Sequence, residues 1–503
     1  MKKIYLTTPL YYVNDKPHIG HAYTTILADV ISRYQKLSGK NVYFLTGTDE
    51  HGQKVQEAAL KLNTTPKDHV DKFHKNYLEL WSRLNIDFDK FIRTTDENHV
   101  NKVKKVLQTL WEKGEIYQAE YEGLYSVSEE RFITEKEYEE GEYREVKKLK
   151  EKNYFFKMSK YQEQLINHIN DNSDFIIPES RKNEILGFLK KPLDDLCISR
   201  PKSRLEWGIE IPFDNDYVTY VWFDALLNYI TGIKWDRDND FFKSWWPADY
   251  HLMGKDIITT HAVYWMTMLM ANNLPLPKHI IAHGWWLIDK TKMSKSIGNV
   301  INPIELIEHY GEDSLRYFLM REMTLGQDAS FSFELFKRRY NDDLANDLGN
   351  LLNRITILIR KFCNNHVPDI QNYDKIDEDL IDKIKILPNK SLKNIDNLKI
   401  NMAIEEIMSV VRYINKYLEL KEPWKILKTN NTDQSGLNTL SIACEAIALS
   451  AKLLFPVMPS KCDEIFKILN IPSESRYNLK FGQISGNHIQ KHNVLFPRIE
   501  DND

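Results

Sequence analysis

The sequence predicts an α/β chain: a parallel sheet with crossover helices, interrupted by an insertion and followed by an all-α C-terminal third. Three observations predict it. A strand–helix–strand pattern opens the chain, the texture becomes charge-dense after about Gly114, and helical periodicity alone persists beyond about Phe333. At 503 residues the chain exceeds what a single core serves, so several domains are expected.

Residues 3–8 (Lys-Ile-Tyr-Leu-Thr-Thr) read as a buried strand, followed by a loop through Pro17. Ile19, Tyr23, Ile26, Leu27, Val30, Ile31, Tyr34 and Leu37 then recur at helical spacing, and Gly39 supplies a stop. Residues 41–47 form a second strand. Such a βαβ unit implies parallel strands and a Rossmann-like sheet. GxGxxG is absent from the first turn, which argues against a dinucleotide cofactor. Residues 135–152 are dense in charge and predict a solvated hairpin or loop. Strand-like and helical pieces resume from Trp207 through His283, and residues 333–362, 400–417 and 437–454 carry apolar side chains at threes and fours. The expected division is a sheet domain over 1–114 and 206–285, split by an insertion over 115–205. A linking region over 286–335 and a helical domain over 336–503 follow.

Composition narrows the class. The chain is 42% hydrophobic and 28% charged, with mean hydropathy −0.49, as in ordinary globular enzymes. No apolar run approaches the ~18 residues of a membrane helix, and Thr7, Thr8, Pro9 and Asn14 interrupt any signal-like stretch after Lys2 and Lys3. No membrane association is expected. Cys197, Cys363, Cys444 and Cys462 are scattered without a CxxC, which fits a reducing cytoplasm. At a formal net charge of −4, any nucleic acid must be met by local basic patches.

Two strings carry chemistry. Pro17-His18-Ile19-Gly20-His21 opens the first helix, where unpaired N–H groups and a partial positive charge suit phosphate. Two imidazoles add directional donors, and Gly20 keeps side-chain bulk away from a nucleotide on the turn. A zinc pair or ordinary capping histidines are the alternatives. Lys292-Met293-Ser294-Lys295-Ser296 offers two ammoniums on a loop, though a solvated turn would read alike. Lys157-Met158-Ser159-Lys160 nearly repeats it, but runs directly into a helical pattern from Tyr161. The downstream copy follows an apolar stretch, 280–288, and a turn at Asp289, and is the one expected to act.

These strings are the HIGH and KMSKS signatures, and the chain resembles the class I aminoacyl-tRNA synthetases. Flanking residues resemble the methionyl branch of that class: Pro9-Leu10-Tyr11-Tyr12-Val13-Asn14, Thr46-Gly47-Thr48-Asp49-Glu50-His51-Gly52, Val221-Trp222-Phe223-Asp224-Ala225, and Gly254-Lys255-Asp256 with His261. The resemblance runs from Lys3 to Leu495-Phe496-Pro497-Arg498. It implies a Rossmann-like catalytic domain split by a connective domain and followed by a helical anticodon-binding domain. It implies ATP-dependent attachment of L-methionine to tRNA(Met), bearing a CAU anticodon, through methionyl adenylate, with Mg²⁺ accompanying ATP.

Residue by residue, the resemblance implies that His18, His21, Lys292 and Lys295 act in catalysis. His18, Gly20, His21, Gly254, Asp256 and Lys295 would hold ATP, although Asp256 is also a natural helix cap. Leu10, Tyr12, Asp49, Trp222, Ala225, Tyr229, His261 and Trp265 would form the methionine pocket. Asp49 would anchor the ammonium, aromatic rings suit a polarizable thioether, and Tyr12 and His261 would direct a hydrogen bond at sulfur. Where many members carry proline after the pocket alanine, this chain has Leu226. Asn350, Arg354 and Trp424 would read the anticodon, the tryptophan by stacking, with plain core packing as the alternative for the aromatic residues. Zinc-bearing relatives place cysteine pairs in the insertion, where this chain has Ser126 and Glu129, so no structural zinc is expected. With no appendage after Asp503, a monomer is expected.

Two rival readings make different demands. A small-molecule nucleotidylyltransferase would leave the helical third idle. A non-catalytic tRNA-binding paralogue would have lost signature residues, yet His18, His21, Lys292 and Lys295 are all present.

Overall fold

The computed structural model describes residues 2–14, 16–126, 131–133, 138–139, 146–288, 291–292, 301–475 and 477–500. Along the chain, the elements that matter for function begin with β1 (Lys3–Tyr12), α1 (Ile19–Leu37), β2 (Asn41–Asp49), β3 (Lys90–Arg93) and α2 (Glu97–Glu112). They continue with β4 (Ile176–Ile177), α3 (Val221–Leu226), β5 (Tyr250–Gly254) and β6 (His279–His283). The helical part supplies α4 (Glu312–Glu322), α5 (Asn350–Phe362), α6 (Ile400–Lys421), α7 (Pro423–Thr429) and α8 (Gln434–Leu454).

The chain divides into two units. The first comprises Met1–Pro17, Lys40–Glu79 and Asp87–His283. It is built on a six-stranded parallel sheet in the order β3-β2-β1-β5-β6-β4. Tyr5, Leu6, Phe44, Leu45, Ile280 and Ile281 are fully buried, as parallel strands covered on both faces require. β1 runs beyond the predicted Thr8, its pairing with β2 resuming at Leu10 after a register shift between Thr7 and Leu10. That irregularity accommodates Pro9, which has no N–H for the ladder. The shift leaves Leu10 opposite Gly47 and Tyr12 opposite Asp49. Only glycine fits at position 47, where a Cβ would lie 1.9 Å from the Ile92 carbonyl oxygen on β3.

Within the predicted insertion a four-stranded antiparallel sheet is ordered Arg131–Ile133, Ile116–Ser126, Val146–Phe156, Leu196–Cys197, whereas Ile176–Ile177 returns to the parallel sheet as its edge strand β4. The described end of the charge-dense stretch lies on Val146–Phe156, where exposed Lys148 and Lys150 pair diagonally with Glu122 and Glu120 of the neighbouring strand. Met158–Tyr161, the upstream near-copy of the lysine motif, is a 3-10 turn. Its Met158 and Tyr161 are buried and its Lys160 pairs with Glu115, so packing accounts for this string.

The second unit comprises His18–Gly39, Leu80–Ile86 and Gly284–Asp503. The apolar stretch 280–288, which reads as one strand, is two strands in different sheets. β6 ends at His283, and Trp286–Ile288 pairs with Thr291–Lys292 and Ala329–Phe331. The break falls at Gly284, where a Cβ would meet the Gln327 carbonyl oxygen at 2.1 Å. The predicted helix 333–362 is likewise three pieces: Phe333–Arg339, wide π-type turns over Tyr340–Gly349, and α5. A further helix, Lys375–Asp396, was masked in the sequence by its polar face and internal Pro388. α8 meets the length and mean hydropathy of a membrane-spanning helix, yet 89% of its most apolar 18-residue window is buried, as in a core helix.

Candidate active site

His18 is the N-cap of α1, in extended conformation, and its Nδ1 accepts the Gly20 backbone N–H at 3.0 Å. The His18 N–H in turn donates to Nδ1 of His21 at 3.1 Å, and the two rings stack with centroids 3.8 Å apart. A neutral imidazole whose Nδ1 accepts carries its proton on Nε2. Backbone capping therefore sets both histidines to be Nε2–H donors. No acidic side chain occupies the first turn of α1 to offset its positive end. Gly20 has a second role beyond clearing space for a nucleotide: a Cβ there would lie 2.9 Å from Cε1 of the folded-back His18 ring. In the lysine motif, Thr291–Lys292 forms a short strand. Lys295 lies outside the described residues.

The predicted methionine-binding residues all fall in the first unit. Tyr12 and Asp49 are paired at the carboxyl ends of β1 and β2, the edge where parallel sheets place ligands. Asp49 is buried, while Leu10 and Tyr12 are half-buried. The Tyr12 carbonyl accepts from Tyr77 Oη at 2.9 Å, and Lys54 Nζ lies 5.6 Å from the Tyr12 ring centre. α3 carries half-buried Trp222 and buried Ala225. Leu226, where a proline was at issue, belongs to the core.

Wide π-type turns over Thr260–Trp265 carry His261 and Trp265, four apart. Such local widening recurs at functional sites. Tyr229 Oη donates to His261 Nε2 at 2.8 Å, and His261 Nδ1–H donates to the Ile257 carbonyl at 2.9 Å. Both ring nitrogens are thus engaged within the protein, which leaves His261 without the donor to sulfur that the sequence predicts. Trp222 meets His261 edge-on at 6.3 Å, and Tyr229 lies 5.8 Å from Trp265. Trp265 Nε1–H donates to His251 Nε2 at 3.3 Å, and the other nitrogen of His251 bonds Thr7 Oγ1 at 2.7 Å. Burial pushes His261 down to about 4 and His251 well below its ordinary value. The aromatic cluster is therefore uncharged at neutral pH, the environment an apolar thioether side chain needs.

Gly254 ends β5, and Asp256 stands in the 3-10 turn that follows. Gly254, not Asp256, is the N-cap of that turn. A Cβ at 254 would approach Asp256 Oδ1 to 2.5 Å, so glycine lets the exposed carboxylate fold back over the strand end. Sequence reasoning left unassigned a set of buried charges inside the same motifs. Glu50 Oε1 receives Arg93 Nε and Thr48 Oγ1, both at 2.7 Å. Asp224 holds His51 and His99. Charged residues in otherwise apolar strings were the available signal.

In the second unit, α5 brings Arg354 beside Trp424, with the guanidinium carbon 5.7 Å from the indole centre. Arg354 also donates to Asn415 Oδ1 at 3.3 Å. Asn350 is exposed one turn earlier on α5. Trp424 follows a left-handed Glu422 and Pro423 at the first turn of α7. Both Arg354 and Trp424 are partly exposed, so the tryptophan is not plain core.

A parallel sheet, a histidine-capped helix and a helical C-terminal region together are the architecture of a class I tRNA synthetase. The family described as "tRNA synthetases class I (M)" matches residues 4–148 and 140–356, and the "Anticodon binding domain of methionyl tRNA ligase" matches residues 367–503. The methionine–tRNA ligase of Clostridium acetobutylicum is 45% identical over 99% of this chain and 78% of its own length. That of Bacillus subtilis is 41% identical over 99% and 78%. A solved Mycobacterium tuberculosis methionyl-tRNA synthetase, in complex with methionyl-adenylate, superposes with a TM-score of 0.94 at 38% identity, covering 99% of this chain and 100% of that one. The chain belongs to the methionine–tRNA ligase family.

Proposed function

We propose the following division of labour among these residues in the ATP-dependent attachment of L-methionine to its tRNA. In the first step a methionine carboxylate oxygen attacks the α-phosphorus of ATP. The bond to the bridging oxygen breaks, pyrophosphate leaves, and methionyl adenylate remains. No protein nucleophile is required, so catalysis rests on positioning and charge stabilisation. The Nε2–H groups of His18 and His21 donate to phosphate oxygens at the positive end of α1, and Lys292 and Lys295 offset the charge that builds on the leaving group. Gly20 keeps the turn open, while Gly254 and Asp256 meet the adenosine. Mg²⁺ arrives with ATP as the counter-ion of its phosphates.

Asp49 anchors the methionine ammonium. Leu10, Tyr12, Trp222, Ala225, Tyr229 and Trp265 surround the side chain, with His261 acting through Tyr229. In the second step a hydroxyl of the terminal adenosine, the 2′ in this class, attacks the activated carbonyl carbon and loses its proton as AMP departs. Asn350, Arg354 and Trp424 read the CAU anticodon.

The observation that carries this reading is the double Nδ1 capping of His18 and His21, which presets two phosphate donors. Methionine-dependent ATP–pyrophosphate exchange against leucine, isoleucine and homocysteine tests it. Exchange driven best by methionine is the expected result. Preference for another amino acid would discard the pocket.

A further inference from the structure

The motif containing Asp49 and the helix carrying Trp222 and Ala225 are joined by a charge that the reading above leaves unused. Asp224, 1% exposed, accepts His51 Nδ1–H at its Oδ2, 2.6 Å away, and His99 Nε2–H at its Oδ1, 2.7 Å away. The other ring nitrogen of His99, Nδ1, bonds Thr231 Oγ1 at 2.8 Å. His51 and His99 are themselves buried. Burial works to raise the Asp224 carboxyl, but His51 and His99 outweigh it and hold it below the usual range.

One carboxylate thus ties three segments: the loop two residues beyond Asp49, helix α2 through His99, and α3 between Trp222 and Ala225. The loop is gripped from a further side, since Trp207 Nε1–H donates to the Glu50 carbonyl at 2.6 Å and Gly52 N–H to the Trp207 carbonyl at 3.2 Å. An ordinary buried ion pair stabilises a fold wherever it falls. This one spans the two segments that supply the ammonium anchor and the side-chain wall. We infer that Asp224, through His51 and His99, is a positioning residue that sets the spacing of Asp49 from Trp222 and Ala225 and thereby the affinity for methionine. The inference rests on the methionine-pocket reading.

Asp224→Asn keeps the shape and removes the charge that both imidazoles address. Charge-assisted hydrogen bonds contribute enough that ~10-fold or more should appear in the methionine KM of ATP–pyrophosphate exchange. The ATP KM should stay within about twofold and kcat, normalised to titrated active sites, should change little. A merely structural role would lower the active fraction or Tm and leave the methionine KM in place, which overturns the inference. An equal rise in both KM values overturns it too. His99→Leu, which cuts one arm only, is measured alongside in case Asp224→Asn fails to fold, with a smaller rise in the same KM expected. Asp49→Asn separates the two claims. A raised methionine KM there with an unmoved one in the Asp224 and His99 variants overturns the clamp alone; an unmoved KM throughout overturns the pocket and the clamp together.

Discussion

His18 and His21 are each half-buried and hold one another in place, because each Nδ1 is committed to a backbone N–H and the two rings stack. Loss of one preorganised donor to a charge-building phosphate costs about 10²–10³ in rate. His21→Ala should therefore slow single-turnover adenylate formation by about that factor while the methionine KM holds within about twofold. Lys295→Ala should show the same pattern, and unchanged adenylate formation would remove it from the mechanism. Trp424 answers to a different assay. Base–aromatic stacking contributes ~1–3 kcal/mol, so Trp424→Ala should raise the tRNA KM of aminoacylation roughly tenfold and leave pyrophosphate exchange untouched. These residues and their types were legible in the sequence because the motif strings name them. The second nitrogen of His261 was not, since its partner Tyr229 stands 32 positions away and only folding brings them together.

At the scale of elements, α1 is secured in its unit by a buried ion pair. Asp29 and Arg316 are both fully buried, and Arg316 Nη2 donates to Asp29 Oδ2 at 2.6 Å. The remaining guanidinium donors reach the carbonyls of Leu84, Pro456 and Val457 at 2.8–3.0 Å. Tyr34 Oη adds a bond to the Leu453 carbonyl at the end of α8. Asp29 Oδ2 also accepts Arg33 Nε at 2.8 Å, so removing Arg316 leaves a buried carboxylate with one of its two cations gone. Arg316→Met should cost about 3–5 kcal/mol in urea unfolding, and adding Asp29→Leu should recover part of that loss. Additive losses in the double variant would show that the pair is not coupled. Element boundaries were harder to read than element types. Gly284 and Pro9 each mark a place where a backbone from elsewhere, or a missing donor, changes the course of a strand.

At the scale of the whole molecule, stability should depend on pH through Asp313. Burial pushes this carboxyl up to about 7, against contacts from the Lys461 N–H and Arg316 that lower it. The folded state therefore binds a proton that the unfolded chain releases near pH 4. The resulting stability is fully present below about pH 4 and is lost as pH rises through about 7. Asp313→Asn should flatten that loss, so the difference in Tm between variant and parent should grow in the variant's favour from pH 4 to pH 8. A constant difference across that range would remove Asp313 as the source.

Sequence alone determined the class of architecture and the family, and it supplied the two motif strings and the pocket and anticodon residues on which the proposed function rests. Those properties reside in short stretches whose chemistry is local: a glycine between histidines, paired lysines, aromatic residues at helical spacing. Tertiary structure decided which donors are spent and which carboxylates are shared. It gave His261 to Tyr229, Asp224 to two histidines from separate segments, and one near-copy of the lysine motif to the core. Hydrogen-bond partners far apart in sequence compete for the same few lone pairs, and only the folded chain ranks them.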